Sequence, residues 1–206
     1  MISAAQALDR LREGNRRFVS GNLKRTPEMD HVRRADLVDE QSPFAVILGC
    51  SDSRVPAEMV FDQGIGDLFV IRVAGNIVAP SQIGSIEFAA EQFGTQLVVV
   101  MGHSNCGAVK AAIDQMGRSD QNGSPNVGFI VERIQPNIRS LVEGGAEMGE
   151  EELVSRAVQA NIQASVDELM AESSVLKSLT ENRGLRIMGA EYSLATGVVT
   201  FLGEHA

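Results

Sequence analysis

Two short stretches concentrate the side chains able to do chemistry. "CSDSR" at 50–54 sets a cysteine, an aspartate and an arginine side by side, and "GHSNC" at 102–106 sets His103 three residues before the chain's only other cysteine. Cys50, His103 and Cys106 make a Cys2His donor set, which suits a borderline-soft ion such as Zn²⁺. Three protein donors leave a fourth position open, the arrangement of a catalytic zinc, and water there has its pKa lowered to about 7. Cys106 opens a helical pattern, where the helix dipole favours a thiolate. Gly102 and Gly107 let the backbone fold closely round an ion. Asp52 has two possible roles. It closes the site as a fourth ligand, or a bidentate pair with Arg54 holds it off the metal to orient the bound water. Each residue also has a plainer use: Cys50 as a small hydrophobe, His103 as a structural hydrogen-bonding group, Asp52 as a helix cap and Arg54 as a surface ion pair.

The two stretches follow apolar runs. "FAVILG" (44–49) precedes the first and "QLVVVMG" (96–102) the second, both reading as strands buried on two faces. Ligands of an open parallel sheet bind beyond the carboxyl ends of its strands. The five polar residues therefore converge if these two strands are neighbours. "DLFVIRV" (67–73) reads as another strand, and "LRIMGAEYSL" with "GVVTFLG" as a terminal hairpin turning at Gly197. Helical patterns cover 3–19, 28–40, 83–94 (ended by Gly94), 105–116 and 151–171. Residues 117–128 read as a loop, and the turns after Phe129 carry a Pro136 that starts or kinks a helix. An acidic connection spans 143–151. The alternation predicts an α/β fold: a mainly parallel central sheet flanked by helices, an antiparallel C-terminal edge strand and an N-terminal helical arm. One domain is expected over 1–206, with 1–40 as the arm and 41–206 as the core.

The chain has 206 residues and a net charge of -9, from 18 Lys+Arg against 27 Asp+Glu, which argues against nucleic acid or an anionic membrane as partner. Tryptophan is absent, so base-stacking platforms are not on offer. No run reaches the ~18 apolar residues of a membrane span. The amphipathic start lacks the apolar core of a secretory signal. A cytoplasmic location is expected, where Cys50 and Cys106 stay thiols or bind metal.

"CSDSRV" (50–55) and "GHSNCGAV" (102–109) resemble the two signature motifs of the β-class carbonic anhydrases. "DLFVIRVAGNIV" (67–78), "GSIEFAAEQFG" (84–94), "LREGNRRFVSG" and "EYSLATGVVTFLG" extend the likeness over nearly the whole chain. The resemblance implies reversible hydration of CO2 to bicarbonate and a proton by zinc-bound hydroxide, with one Zn²⁺ per chain. It implies Cys50, His103 and Cys106 as ligands, Asp52 and Arg54 as the catalytic pair, and Asp52 as a fourth ligand in a closed state. Gln41 resembles the plant-type donor that reaches substrate across a dimer interface. Phe69 and Phe88 match pocket positions, and Ala74 stands where that subgroup often has Val. Gly75 and Asn76 read as turn geometry. The allosteric subgroup has Trp where this chain has Ile47, so its noncatalytic bicarbonate site is expected to be absent. The family implies a homodimer or tetramer, with the helix at 3–19 reaching over a partner or packing on its own domain. His31 and His205 read as surface histidines.

Three other readings stand beside this one. The same fold and zinc set serve hydrolysis of CS2 or COS in relatives. A thiol enzyme would use Cys50 or Cys106 as nucleophile and His103 as base, and would work with chelator present. A non-catalytic α/β module would close a structural zinc with Asp52 as fourth ligand, and would bind zinc without hydrating CO2.

Overall fold

Ala45–Gly49 forms β1, buried at every position, and Leu97–His103 forms β3, equally buried. These coordinates are a computed structural model; it describes residues 2–117, 124–144 and 148–203, and the side chains of all of these except 27–30. Before β1 come α1 (Ala4–Ser20) and α2 (Pro27–Asp36); between β1 and β3 come α3 (Ala57–Val60), β2 (Leu68–Arg72), a 3-10 turn (Ala74–Asn76) and α4 (Pro80–Gln92). After β3 come α5 (Gly107–Met116), α6 (Pro125–Gly144), α7 (Glu150–Glu172), α8 (Ser174–Arg183), β4 (Arg186–Tyr192) and β5 (Val199–Phe201).

The sheet runs β2-β1-β3-β4-β5. The first four strands are parallel, and β5 is antiparallel to β4 at the edge, as the sequence predicts. β1 and β3 are neighbours, with Gly49 opposite Met101. One residue on from Gly49 comes Cys50 and two on from Met101 comes His103, at the same edge of the sheet.

Alternation along the strands sorts the core into two layers. Val46, Leu48, Val98 and Val100 face α4, α5, α6, α7 and α8. Ala45, Ile47, Leu97, Val99 and Met101 face α1 and α3. Cover on both faces is why β1 and β3 read as unbroken apolar runs.

α1 starts with a capping box between Ser3 and Gln6 and ends at Gly21 in the left-handed region. Its apolar stripe, Ala4, Ala7, Leu8 and Leu11, is buried on the sheet of its own chain. Asn15 fixes the position. Its Nδ2 donates to the carbonyls of Val60 (3.1 Å) and Gly197 (2.8 Å), and its Oδ1 accepts from the Val199 N–H (2.9 Å). Of the two uses expected for this helix, packing on its own domain is the one observed.

Several boundaries differ from expectation. α4 starts at Pro80, a residue suited to the first helical turn, and ends before Gly94, which lies beyond it at φ 61°. Residues 125–128, read as loop, begin α6, and 118–123 of that loop lie outside the described residues. Pro136 neither starts nor divides α6: the fully buried Ile134 and Ile138 on either side anchor the helix and outweigh the ~3 kcal/mol an interior proline costs. Within the acidic connection, 145–147 lie outside the described residues. α3 and α8 had no counterpart in the expected elements. α8 is capped by Ser173, whose Oγ accepts from the Leu176 N–H at 3.0 Å, and stopped by Gly184 at φ 73°.

The tightest approach of α1 to the body is at Gly14, where an added Cβ would stand 1.8 Å from the Phe61 carbonyl oxygen. Gly14→Ala should therefore cost about 3 kcal/mol of folding stability by overpacking. Urea unfolding measures this, and an unchanged midpoint would show that α1 does not sit against α3.

Candidate metal centre

Cys50 leaves β1 at the carboxyl edge and is buried. Its Sγ accepts the backbone N–H of Gly75 at 3.3 Å. Gly75 has φ 70°, and a Cβ there would lie 2.7 Å from Ile134 Cδ1 and 3.0 Å from Ala108 Cβ, so both conformation and space demand glycine. Arg72, opposite Gly49 in β2, clamps the same loop: its Nε donates to the Cys50 carbonyl at 2.9 Å and its Nη2 to the Asp52 carbonyl.

His103 ends β3 with 0% exposure. Its Nδ1 lies 2.9 Å from the Ser104 carbonyl oxygen, a contact that requires Nδ1–H and leaves Nε2 as a bare acceptor. Ser104 is itself tied to the terminal hairpin, its N–H donating to the Tyr192 carbonyl and its Oγ accepting from the Leu194 N–H. Asn105, at φ 56°, turns the chain so that Cys106 caps α5, with 1% exposure.

The two sulfurs and the imidazole nitrogen lie within 4.8 Å of one another. Nε2 is buried with no hydrogen-bond partner among the described residues, a costly omission unless something else binds it. The neighbouring Cys106 thiol, with the Gly75 N–H, brings the Cys50 pKa down to about 4 against the opposing effect of burial. The same contact, together with burial, pushes Cys106 far up. Burial works to lower the His103 pKa, but the neighbouring Cys50 thiolate raises it overall. A second thiolate here needs a cation beside it. Two soft sulfurs and one bare imidazole nitrogen fit a divalent metal of zinc's type.

Asp52 stands at the rim. Its carboxylate takes a bidentate bond from Arg54, Nε to Oδ1 at 2.9 Å and Nη2 to Oδ2 at 2.7 Å, and a third from the Arg54 backbone N–H at 3.0 Å. These bonds hold its pKa well below the usual carboxylate range. Its Oδ2 is 3.8 Å from His103 Nε2, close to the donor cluster but turned to Arg54.

The pocket residues separate into two groups. Ala74 directly precedes Gly75, whose N–H meets Cys50 Sγ. Gln41 is exposed before the start of β1, at its far end from Cys50. Phe69 pairs with Val46, four residues short of Cys50 and roughly 13 Å from it along the strand. It joins Phe88 (centroids 6.5 Å apart) and Phe93 (6.1 Å), and Phe88 is 51% exposed. One chain therefore unites Cys50, Asp52, Arg54, Ala74, His103 and Cys106, and leaves Gln41, Phe69 and Phe88 elsewhere. Ile47, in place of the allosteric tryptophan, is fully buried against α1 and α3. His31 is exposed, and His205 lies outside the described residues. The sequence reading passed over Arg72 and Ser104, whose parts depend on sheet register and on backbone carbonyls.

No helix among the described residues is long and apolar enough to cross a membrane. A family model described as carbonic anhydrase matches residues 45–199. Carbonic anhydrase 2 of Mycobacterium tuberculosis is 39% identical over 188 residues, covering 91% of this chain and 87% of that protein. The carbonic anhydrase of Mycolicibacterium smegmatis is 40% identical over 192 residues, covering 92% and 88%. Among solved structures, the β-carbonic anhydrase CafA of Aspergillus fumigatus superposes with a TM-score of 0.76 at 26% identity, over 86% of this chain and 85% of that one. A tetrameric β-carbonic anhydrase of Sordaria macrospora gives 0.76 at 25% identity, over 86% and 89%. With the match running from the first residue of β1 to the first of β5 and enclosing both motifs, the chain belongs to the β-class carbonic anhydrase family, whose reaction is the hydration of CO2.

Proposed function

We propose that the chain is a zinc-dependent carbonic anhydrase, converting CO2 and water to bicarbonate and a proton, with one zinc held by Cys50, His103 and Cys106. The observation that carries this is the bare, buried Nε2 of His103 grouped with two sulfurs. Zinc, when bound, supplies a Lewis acid that makes water nucleophilic near neutral pH. Asp52, ionised and acceptor-only, takes a hydrogen bond from the attacking water and turns its lone pair toward the carbon of CO2. Arg54 keeps Asp52 in that role; to become a ligand through Oδ2, Asp52 would have to turn from the bidentate pair and give up the Nη2 bond. The held-off arrangement is thus the one these contacts favour. The released proton passes to buffer.

The rest of the pocket comes from a second copy. Gln41, Phe69 and Phe88 are too far along β1 and β2 to serve their own chain's centre, and the half-exposed aromatic group suits an interface. A homo-oligomer, a dimer at least, completes the pocket with a donor and apolar walls for CO2. The tetrameric Sordaria enzyme supports such assembly. Ile47 stands where the allosteric subgroup has tryptophan, so this reading includes no regulation through that bicarbonate site. Two thiolate ligands suit a reducing compartment such as the cytoplasm.

Stopped-flow hydration with a pH indicator, over roughly pH 6.5 to 9, brackets a zinc-water pKa of about 7. Activity should vanish on zinc removal, return with zinc, and be lost with the metal in Cys106→Ala. Zinc-loaded protein inert toward CO2 but active on CS2 or COS would move the reading to those substrates, and inertness toward all three would indicate a structural site.

A second prediction concerns Asp52. Its folded pKa is depressed, so any stability from the Arg54 pair is present above the ordinary carboxylate range and lost as pH falls toward the depressed value. Arg54→Ala should raise the Asp52 pKa, read by carbon NMR of the labelled carboxyl group, and lower activity roughly 10- to 100-fold. An unmoved titration would remove Arg54 from this role.

A further inference from the structure

Behind the Cys50 sulfur lies a buried polar chain that the reaction does not itself require. Asn161, on α7 and 1% exposed, donates from Nδ2 to the Gly75 carbonyl at 2.8 Å. Its Oδ1 accepts from Asn137 of α6 at 3.2 Å. One turn on, the Ser165 hydroxyl lies 3.2 Å from the Asn76 carbonyl and 2.9 Å from that of Asn161. Gly75 and Asn76 are consecutive positive-φ residues, at 70° and 44°, a conformation that needs external support at a non-glycine position. Two side chains of α7 grip both of their carbonyls. These carbonyls lie in the peptides after the one that carries the Gly75 N–H, so the grip fixes the backbone angles of Gly75 and through them the N–H that meets Cys50 Sγ at 3.3 Å.

We propose that Asn161 is a positioning residue for the metal thiolate: by holding the Gly75 carbonyl it aims the Gly75 N–H at Cys50 Sγ and tempers that sulfur's donation to the metal. An apolar layer surrounds it, with Ile162, Val158 and Val166 all in the core. A buried amide in such a layer is costly unless it is hydrogen-bonded, and Asn161 finds its partners in the Gly75 carbonyl and Asn137. Outer partners of this kind orient ligands and tune the metal they hold. The inference deepens the zinc reading and rests on it.

The test uses full-length protein loaded with Co²⁺, a spectroscopic substitute for Zn²⁺. Asn161→Leu keeps the volume and removes the donor. The sulfur-to-cobalt charge-transfer band should move to lower energy as the sulfur loses its hydrogen bond, and zinc affinity by chelator competition should fall roughly 10-fold or more. Ser165→Ala, a milder change, should move both in the same direction and serves if Asn161→Leu does not fold. Val158→Ala, a packing change on the same helix, should lower stability and leave the band in place. A band and affinity unchanged in folded Asn161→Leu or Ser165→Ala, or moved equally by Val158→Ala, would overturn the assignment. Wild-type protein that takes up neither metal would instead overturn the zinc reading, and this inference with it.

Discussion

Parallel strands leave a sheet through the same edge, and the pairing of β1 with β3, Gly49 opposite Met101, makes two distant stretches of chain end together. Everything at the centre follows from that register. A slip of one residue would carry the buried set of a strand to the wrong face and shift Cys50 relative to His103. The register is protected because both strands are apolar on both sides and covered by two separate helical layers. β2 and β4 then add what the outer contacts need. Arg72 comes from the end of β2, and Tyr192, which receives the Ser104 N–H, from the end of β4.

The core's electrostatics are arranged around a charge that the protein alone does not supply. Two buried sulfurs next to an imidazole with a bare nitrogen are a poor arrangement on their own, since Nε2 goes without a partner. A cation would make such a group favourable. The Asp52 charge is paired at the rim, where Arg54 is solvated and Asp52 partly so.

The strands were legible because burial on both faces removes alternation and leaves runs such as "FAVILG". The donor cluster was legible because cysteines are rare here and both follow strands that end side by side. α8 was passed over although Ser173 and Gly184 bracket it as caps, because its charged and polar content hides a face with one buried leucine, Leu176. The start of α6 was hidden by the Gly/Ser/Asn/Pro composition of 117–128. Gly75 and Asn76 were read as turn residues, which they are. The sulfur contact is made by a backbone N–H, and side-chain identity does not reveal a backbone donor. Gln41 was expected to act across a dimer interface, whereas Phe69 and Phe88 were grouped with the centre by resemblance, and the sheet register is what reveals that a single chain keeps Phe69 apart from it.

Asn15 has a consequence for how the chain folds. Its amide joins α1 to Gly197 and Val199, partners 182 and 184 residues further along. α1 therefore has no complete seat until β5 is in place. Contacts this far apart in sequence are of the kind that slows folding, because a long loop must close before they form.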